Sequence, residues 1–299
     1  MDRNERFNQA SRVIQIGFWI NAVLMAVKLA AGYWGRSEAV LADGLESAAD
    51  FIALLSSLIA LRIGSRPFDK DHPYGHGKAE SLSALIISLV IFTGGGWILF
   101  RSAHTIIDAS YETPGLIAPI VAFFTILIKE ALYRYSNRVG TKLGSPAILA
   151  TAQDHRKDAL TSIGTLIGVT GAYFGWLVMD PLAAALTALF IFRIGYLTFM
   201  QAANDLMDGR PDDPCVESIA RLAEGVAGVE HVHEIRCRRS GQFMIVDLKL
   251  DMDPEMTVRR SHAIATQVKK LIFETFPGVG DVMIHINPHE EEHEDLIRL

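Results

Sequence analysis

The hydrophobic positions of this chain fall into long, nearly continuous windows near 13–34, 38–63, 82–107, 114–136, 145–174 and 176–200. With a rise of about 1.5 Å per residue, each can cross a hydrocarbon layer about 30 Å thick, so the pattern predicts six membrane-spanning helices. Beyond Asp208 the texture changes to mixed charged and apolar residues over about ninety positions, enough for one small soluble domain. There "MIVDLKLDM" alternates as a strand does, and Ile264, Val268, Leu271 and Ile272 recur at helical spacing. The periods predict a helix over Pro214 to Val226, strands over His231 to Arg239 and Phe243 to Asp251, a helix over Thr257 to Phe276 and a strand over Asp281 to Ile286. The expected fold is therefore a six-helix α transmembrane bundle (1–208) followed by an α+β domain of αββαβ order (209–289), with an acidic, solvated tail (290–299).

Composition agrees with the pattern. Half of the 299 residues are hydrophobic, too many for an ordinary soluble domain of this size. The first helix is too long for a secretory signal and lacks a small-residue cleavage site, so it is expected to stay. Cys215 and Cys237 have neither the number nor the spacing of a disulfide framework or a CxxC metal site. The net charge of −6 averages two unlike parts, and no basic stripe points to nucleic acid. Short-loop basic residues orient the chain: Arg3, Arg6 and Arg12, then Arg62, Arg66, Lys70 and Lys78, then Arg134, Arg138 and Lys142 share one side, against Arg36 and Arg101 on the other. By the positive-inside rule both termini are cytoplasmic, and the compact loops suit a bacterial plasma membrane.

The helices nevertheless carry charge. Glu46 and Asp50 stand one turn apart on the second helix, with Asp43 a turn before them; Asp154 and Asp158 repeat the spacing within "DHRKD" on the fifth. A charge at a helix centre costs about 2.5–3.5 kcal/mol to insert, so these groups must face protein, water or a cation. Intramembrane salt bridges, with Arg156 or Lys157 as partners, are one solution; against them, the second helix brings acids and no base in its core. The other solution is a divalent cation held by carboxylates from two helices. Hard oxygen donors suit manganese, iron(II), magnesium or calcium, whereas zinc sites usually include His or Cys. Four neighbouring carboxylates cannot all be ionised in a low dielectric without a cation, so a metal-free site holds protons and an entering metal expels them.

"LADGLESAADF" and "DHRKDALTS", together with "SRPFDKDHPYGHGKAES" and "SPAILATAQDHRKDA", resemble the cation diffusion facilitator family over nearly the whole chain. The resemblance implies a homodimeric membrane antiporter that exchanges a divalent metal for protons, with a metallochaperone-like (ferredoxin-like) cytoplasmic domain. By position it implies a transport site of Glu46, Asp50, Asp154 and Asp158, and a second site of Asp69, His72 and His76 in the loop after helix two. It also implies a charged pair, Lys78 and Asp208, near the dimer contact, and regulatory ligands His233, Asp247, His262 and His285 between protomers. Read alone, the loop is equally a solvated turn, and each tail residue equally a surface or capping group.

Three departures bear on the cargo. Glu46 stands where Asp or His is usual, and Asp154 where zinc-transporting members carry His, which moves the site to all oxygen and towards the manganese and iron branches. Lys157, about 60° round the helix from Asp154, either lies beside the site as a modulator or snorkels to the surface. The alternatives are a zinc, cadmium or cobalt antiporter with water or His155 completing the shell, and a membrane-anchored metal sensor or scaffold. A metallohydrolase fits poorly, since no nucleophile or HExxH-like pair is present.

Overall fold

The computed structural model describes residues 3–211 and 215–289, so Pro214 and the acidic tail 290–299 lie outside the described residues. Among the described residues, six long helices lead the chain: α1 (Arg3–Trp34), α2 (Glu38–Gly64), α3 (Lys78–Ile107), α4 (Ile117–Leu143), α5 (Pro146–Tyr173) and α6 (Met179–Leu206). They are followed by α7 (Cys215–Glu224), β1 (His231–Ser240), β2 (Phe243–Met252), α8 (Val258–Thr275) and β3 (Val279–Pro288). All elements read from the periodicity are present. By length and apolarity α1, α2, α3 and α6 can cross a membrane, while α4 and α5 are as long but carry more charge. The chain divides into two compact units, Met1–Ser56 with Ile86–Phe199, and Ser57–Leu85 with Met200–Leu299.

In the first unit the helices meet through small side chains. Ala31, Ala39, Ala42, Ala118, Ala122, Ala184 and Ala188 are buried, while Trp19, Phe100, Leu186 and Phe190 are exposed, as expected of helices whose outer surface faces lipid. The α3–α6 contact is set by glycines: a Cβ on Gly95 would stand 2.9 Å from the Phe192 amide nitrogen, and one on Gly195 2.8 Å from that of Phe92. Local chemistry fixes the helix ends. Gly144 adopts φ 59° and closes α4, after which Pro146 opens α5 at a position where its missing N–H costs nothing. Ser37 caps α2, its Oγ accepting from the Val40 N–H at 3.1 Å while donating to Asp180 Oδ1 at 2.6 Å. Asp180 Oδ2 accepts from the Glu38 N–H at 2.6 Å, so a carboxylate of α6 sits on the positive end of α2.

In the second unit β1, β2 and β3 lie side by side in that order, β1 antiparallel and β2 parallel to their next neighbours. One sheet face and the inner faces of α7 and α8 enclose a core of Val216, Ile219, Val246, Leu248, Leu250, Val268, Ile272 and Val282. Gly241, at φ 61°, makes the β1–β2 turn. Thr257 caps α8, accepting from the Arg260 N–H. The opposite face carries Arg236, Asp247 and Met283 in one row and Glu234, Lys249 and His285 in the next.

Candidate functional site

The acids of α2 and α5 lie near one another with unequal burial. Asp43 is buried, Glu46 half-buried and Asp50 exposed along α2, while Asp154 is exposed and Asp158 partly buried on α5. Glu46 lies within electrostatic reach of Asp43, Asp50 and Asp158, and Asp50 within reach of Asp158 and Asp154. Carboxylates from the two helices thus act on one region. Among the described residues, however, Glu46, Asp50, Asp154 and Asp158 do not close into a tight ligand cluster.

The base that α2 itself does not bring comes from α1. Lys28 of α1, 1% exposed, donates to Asp43 Oδ2 at 3.0 Å and to Ser47 Oγ at 3.1 Å. Ser162 Oγ completes this knot, 3.2 Å from both oxygens of Asp43. Lys129 of α4 donates to Asp158 Oδ2 at 2.7 Å and to Asn21 Oδ1 at 2.8 Å. Each lysine finds its acid on another helix. Among the described residues Arg156 does not pair with an aspartate: it is exposed and donates to the Tyr133 hydroxyl at 2.8 Å. Lys157 is exposed and still within electrostatic reach of Asp50. His155 turns inward against α1, where a Cβ on Gly17 would stand 3.2 Å from its Nε2. That nitrogen is buried without a hydrogen-bond partner among the described residues.

The loop between α2 and α3 gathers its three candidates. Asp69 Oδ1 accepts from the amides of Asp71 and His72 at 3.0 and 2.7 Å, an Asx turn that folds the chain back on itself. His72 Nδ1 then lies 3.3 Å from Asp69 Oδ1, and His76 Nε2 3.6 Å from Oδ2. One ligand atom from each residue falls within 4.8 Å of the others. The His72 amide bond, with smaller help from the imidazoles and the Asp71 amide, holds the Asp69 carboxyl below its ordinary range. An ionised carboxylate beside two imidazoles is a donor set for a divalent transition metal.

The same unit joins Lys78 to Asp208. Lys78 Nζ donates to Asp208 Oδ1 at 2.7 Å and also to the Asp205 carbonyl, while Arg238 Nη1 of β1 reaches Asp208 Oδ2 at 3.0 Å. The Lys78 hydrogen bond, then that of Arg238, lowers the Asp208 pKa. The Arg238 guanidinium lies over the Tyr74 ring, 5.4 Å from its centre, and Gly77 abuts Ser240, so the loop rests on the β1–β2 turn.

The four tail candidates are not gathered within one protomer. Asp247 and His285 sit one register step apart on the open sheet face, His262 is exposed on α8, and His233 falls in the β-bulge of β1. Sequence reasoning passed over Asp251, which is buried beside His233 and His289, with Nδ1 atoms 3.7 and 3.8 Å from its Oδ2. Asn287 donates to its other oxygen at 3.4 Å. Cys215 and Cys237 form no disulfide among the described residues.

Comparison with known proteins adds a second line. Residues 14–207 match the model of the cation efflux transmembrane domain, and residues 211–289 that of the cation efflux protein cytoplasmic domain. The manganese efflux system protein MneP of Bacillus subtilis (strain 168) is 34% identical over 97% of this chain and 99% of its own length. MneS of the same organism is 32% identical over 98% and 100%. The magnetosome protein MamB of Paramagnetospirillum magneticum (strain ATCC 700264 / AMB-1) is 28% identical over 92% and 93%. Among solved structures, a MamM CTD variant is 27% identical and covers 25% of this chain and 92% of its own, with a TM-score of 0.25.

Proposed function

Because the chain belongs to the cation efflux (cation diffusion facilitator) family of membrane transporters, we propose that it exports a divalent transition metal, manganese or iron(II) first, from the cytoplasm in exchange for protons. The observation that carries this reading is the all-oxygen set Glu46, Asp50, Asp154 and Asp158, placed on α2 and α5 within one electrostatic field. Hard cations suit such a set, and the likeness to two manganese efflux proteins supports the same choice. With the site open to the cytoplasm the metal displaces protons; with it open to the far side protons displace the metal. Asp50, Asp154 and Asp158 serve as ligands and proton carriers and Glu46 as the fourth ligand.

In this reading residues 1–208 transport, residues 209–289 pair two protomers and sense metal through His233, Asp247, His262 and His285, and the loop triad of Asp69, His72 and His76 is a second metal site. Both termini lie in the cytoplasm, and the bundle sits in the lipid of the plasma membrane. The test is Mn²⁺ uptake into inverted membrane vesicles driven by a pH gradient. Asp50→Asn should lower uptake at least tenfold, about 1.4 kcal/mol of lost transition-state stabilisation, while His72→Ala retains most of it. Uptake by Asp50→Asn equal to the parent's would remove the α2–α5 site from the mechanism.

A further inference from the structure

The two buried lysines of the bundle are not equivalent. Lys28 and Asp43 are sealed, with side chains 1% and 4% exposed, and Asp43 is further held by Ser162. Such a closed pair behaves as a strut. Lys129 is as enclosed, at 4%, but its partner Asp158 is 22% exposed and its Oδ1 accepts no hydrogen bond among the described residues. Asp158 is also the carboxylate that acts on both Glu46 and Asp50 across the α2–α5 gap. One oxygen of a proposed transport ligand is therefore already occupied by a tethered cation. An entering divalent ion must share Asp158 with that ammonium or displace it.

We infer that Lys129 is a resident counter-cation that holds Asp158 while the transport site is empty, yields it to the divalent ion on loading, and withdraws to Asn21. The inference rests on Asp158 being a transport ligand. Lys129 keeps its charge throughout and changes only its partner. Asn21 Oδ1 already accepts from Nζ at 2.8 Å, so the ammonium has a second acceptor within reach and needs no passage through the hydrocarbon. The competition weakens metal binding at rest, because part of the binding energy is used to break the ion pair. It also speeds release, because the empty carboxylate is met at once by a charge that stays attached to α4.

The test is Mn²⁺ binding by the purified full-length protein, followed through the electron paramagnetic resonance signal of free Mn²⁺. His72→Ala, His76→Ala, His233→Ala, Asp247→Asn, His262→Ala and His285→Ala are present throughout so that neither the loop nor the cytoplasmic domain contributes, and Mn²⁺ flux of the same proteins is measured in proteoliposomes. Lys129→Gln should bind Mn²⁺ roughly tenfold more tightly, with KM and kcat both falling. Lys129→Arg should behave as the parent. Asn21→Leu, which removes the second acceptor but leaves the charge, should bind more weakly. A purely structural Lys129 would lower the melting temperature on replacement without tightening binding. Folded Lys129→Gln with parental or weaker affinity would overturn the inference, as would Asn21→Leu with parental affinity should the first variant not fold. Asp158→Asn separates the two levels: parental Mn²⁺ binding there would refute the transport-site reading itself, whereas lost binding there beside an unchanged Lys129→Gln refutes only the role of Lys129.

Discussion

Lys28 shows what a single charged side chain does inside such a bundle. It is fully enclosed, and its ammonium is matched by Asp43 and the Ser47 hydroxyl of α2, while Ser162 of α5 bonds the Asp43 carboxylate. Removing one member of a buried pair leaves the other uncompensated, so Lys28→Met should destabilise the protein by about 3–5 kcal/mol. The double variant Lys28→Met with Asp43→Leu should recover most of that loss, and thermal unfolding in detergent would measure both. Equal losses in the single and double variants would show that the pair is not what Lys28 contributes. Neither lysine pair was legible from periodicity. Spacing within a helix shows that Glu46 and Asp50 share a face, but Lys129 meets Asp158 across 29 residues and a helix–helix contact. The signal that was present, a lysine within "MAVKLAAGYW" or "FFTILIKEAL", reports that a partner must exist and not which one it is.

At the scale of elements the sequence was read more fully. All six bundle helices and the αββαβ order follow from hydrophobic run length and alternation, because those patterns report directly which face is buried. The ends were harder. α1 begins at Arg3 and α4 runs to Leu143, several residues beyond their apolar windows, since a helix can continue as a charged segment that hydropathy does not mark. Close approach of helices was also hidden. A methyl group at Gly195 would collide with the Phe92 backbone, so Gly195→Ala should cost about 1–3 kcal/mol in the same unfolding assay despite its better helix propensity. A more stable variant would show that α3 and α6 are not in close contact at this point. The Lys78–Asp208–Arg238 cluster makes a pH prediction. The Asp208 pKa is lowered from its ordinary 3.8, chiefly by Lys78, so the stability it contributes is present above that value and is lost as pH falls through the lowered one. The side chain is 46% exposed and screened by solvent, which limits the contribution to about 0.5–1 kcal/mol. Asp208→Asn should therefore unfold more easily than the parent at neutral pH, with the difference shrinking below the ordinary carboxylate range. A difference independent of pH would show that the carboxylate charge is not the source of the effect.

For the whole molecule, ligand chemistry and charge balance together define the transport proposal. The motif residues were visible as a set because they recur at one-turn spacing on two helices and beside a His-rich loop. What balances these acids was not visible: Lys28 pairs with Asp43 and Lys129 with Asp158, and only the packed bundle brings them together. The loop triad is closed by an Asx turn that the sequence allowed without requiring, and the tail candidates lie on surfaces that one protomer leaves unassembled. In the proposed function cargo choice rests on the oxygen donors, with Asp154 of α5 as the position to vary. The deciding measurement is transport by the purified protein in proteoliposomes under an imposed pH gradient, with Mn²⁺, Fe²⁺, Co²⁺, Zn²⁺ and Cd²⁺ offered separately to the parent and to Asp154→His. Fastest flux for Mn²⁺ or Fe²⁺ in the parent, and a preference moved at least tenfold towards Zn²⁺ in the variant, is the expected result, equivalent to about 1.4 kcal/mol of altered discrimination. Equal Zn²⁺ and Mn²⁺ flux in the parent, unchanged by Asp154→His, would contradict it.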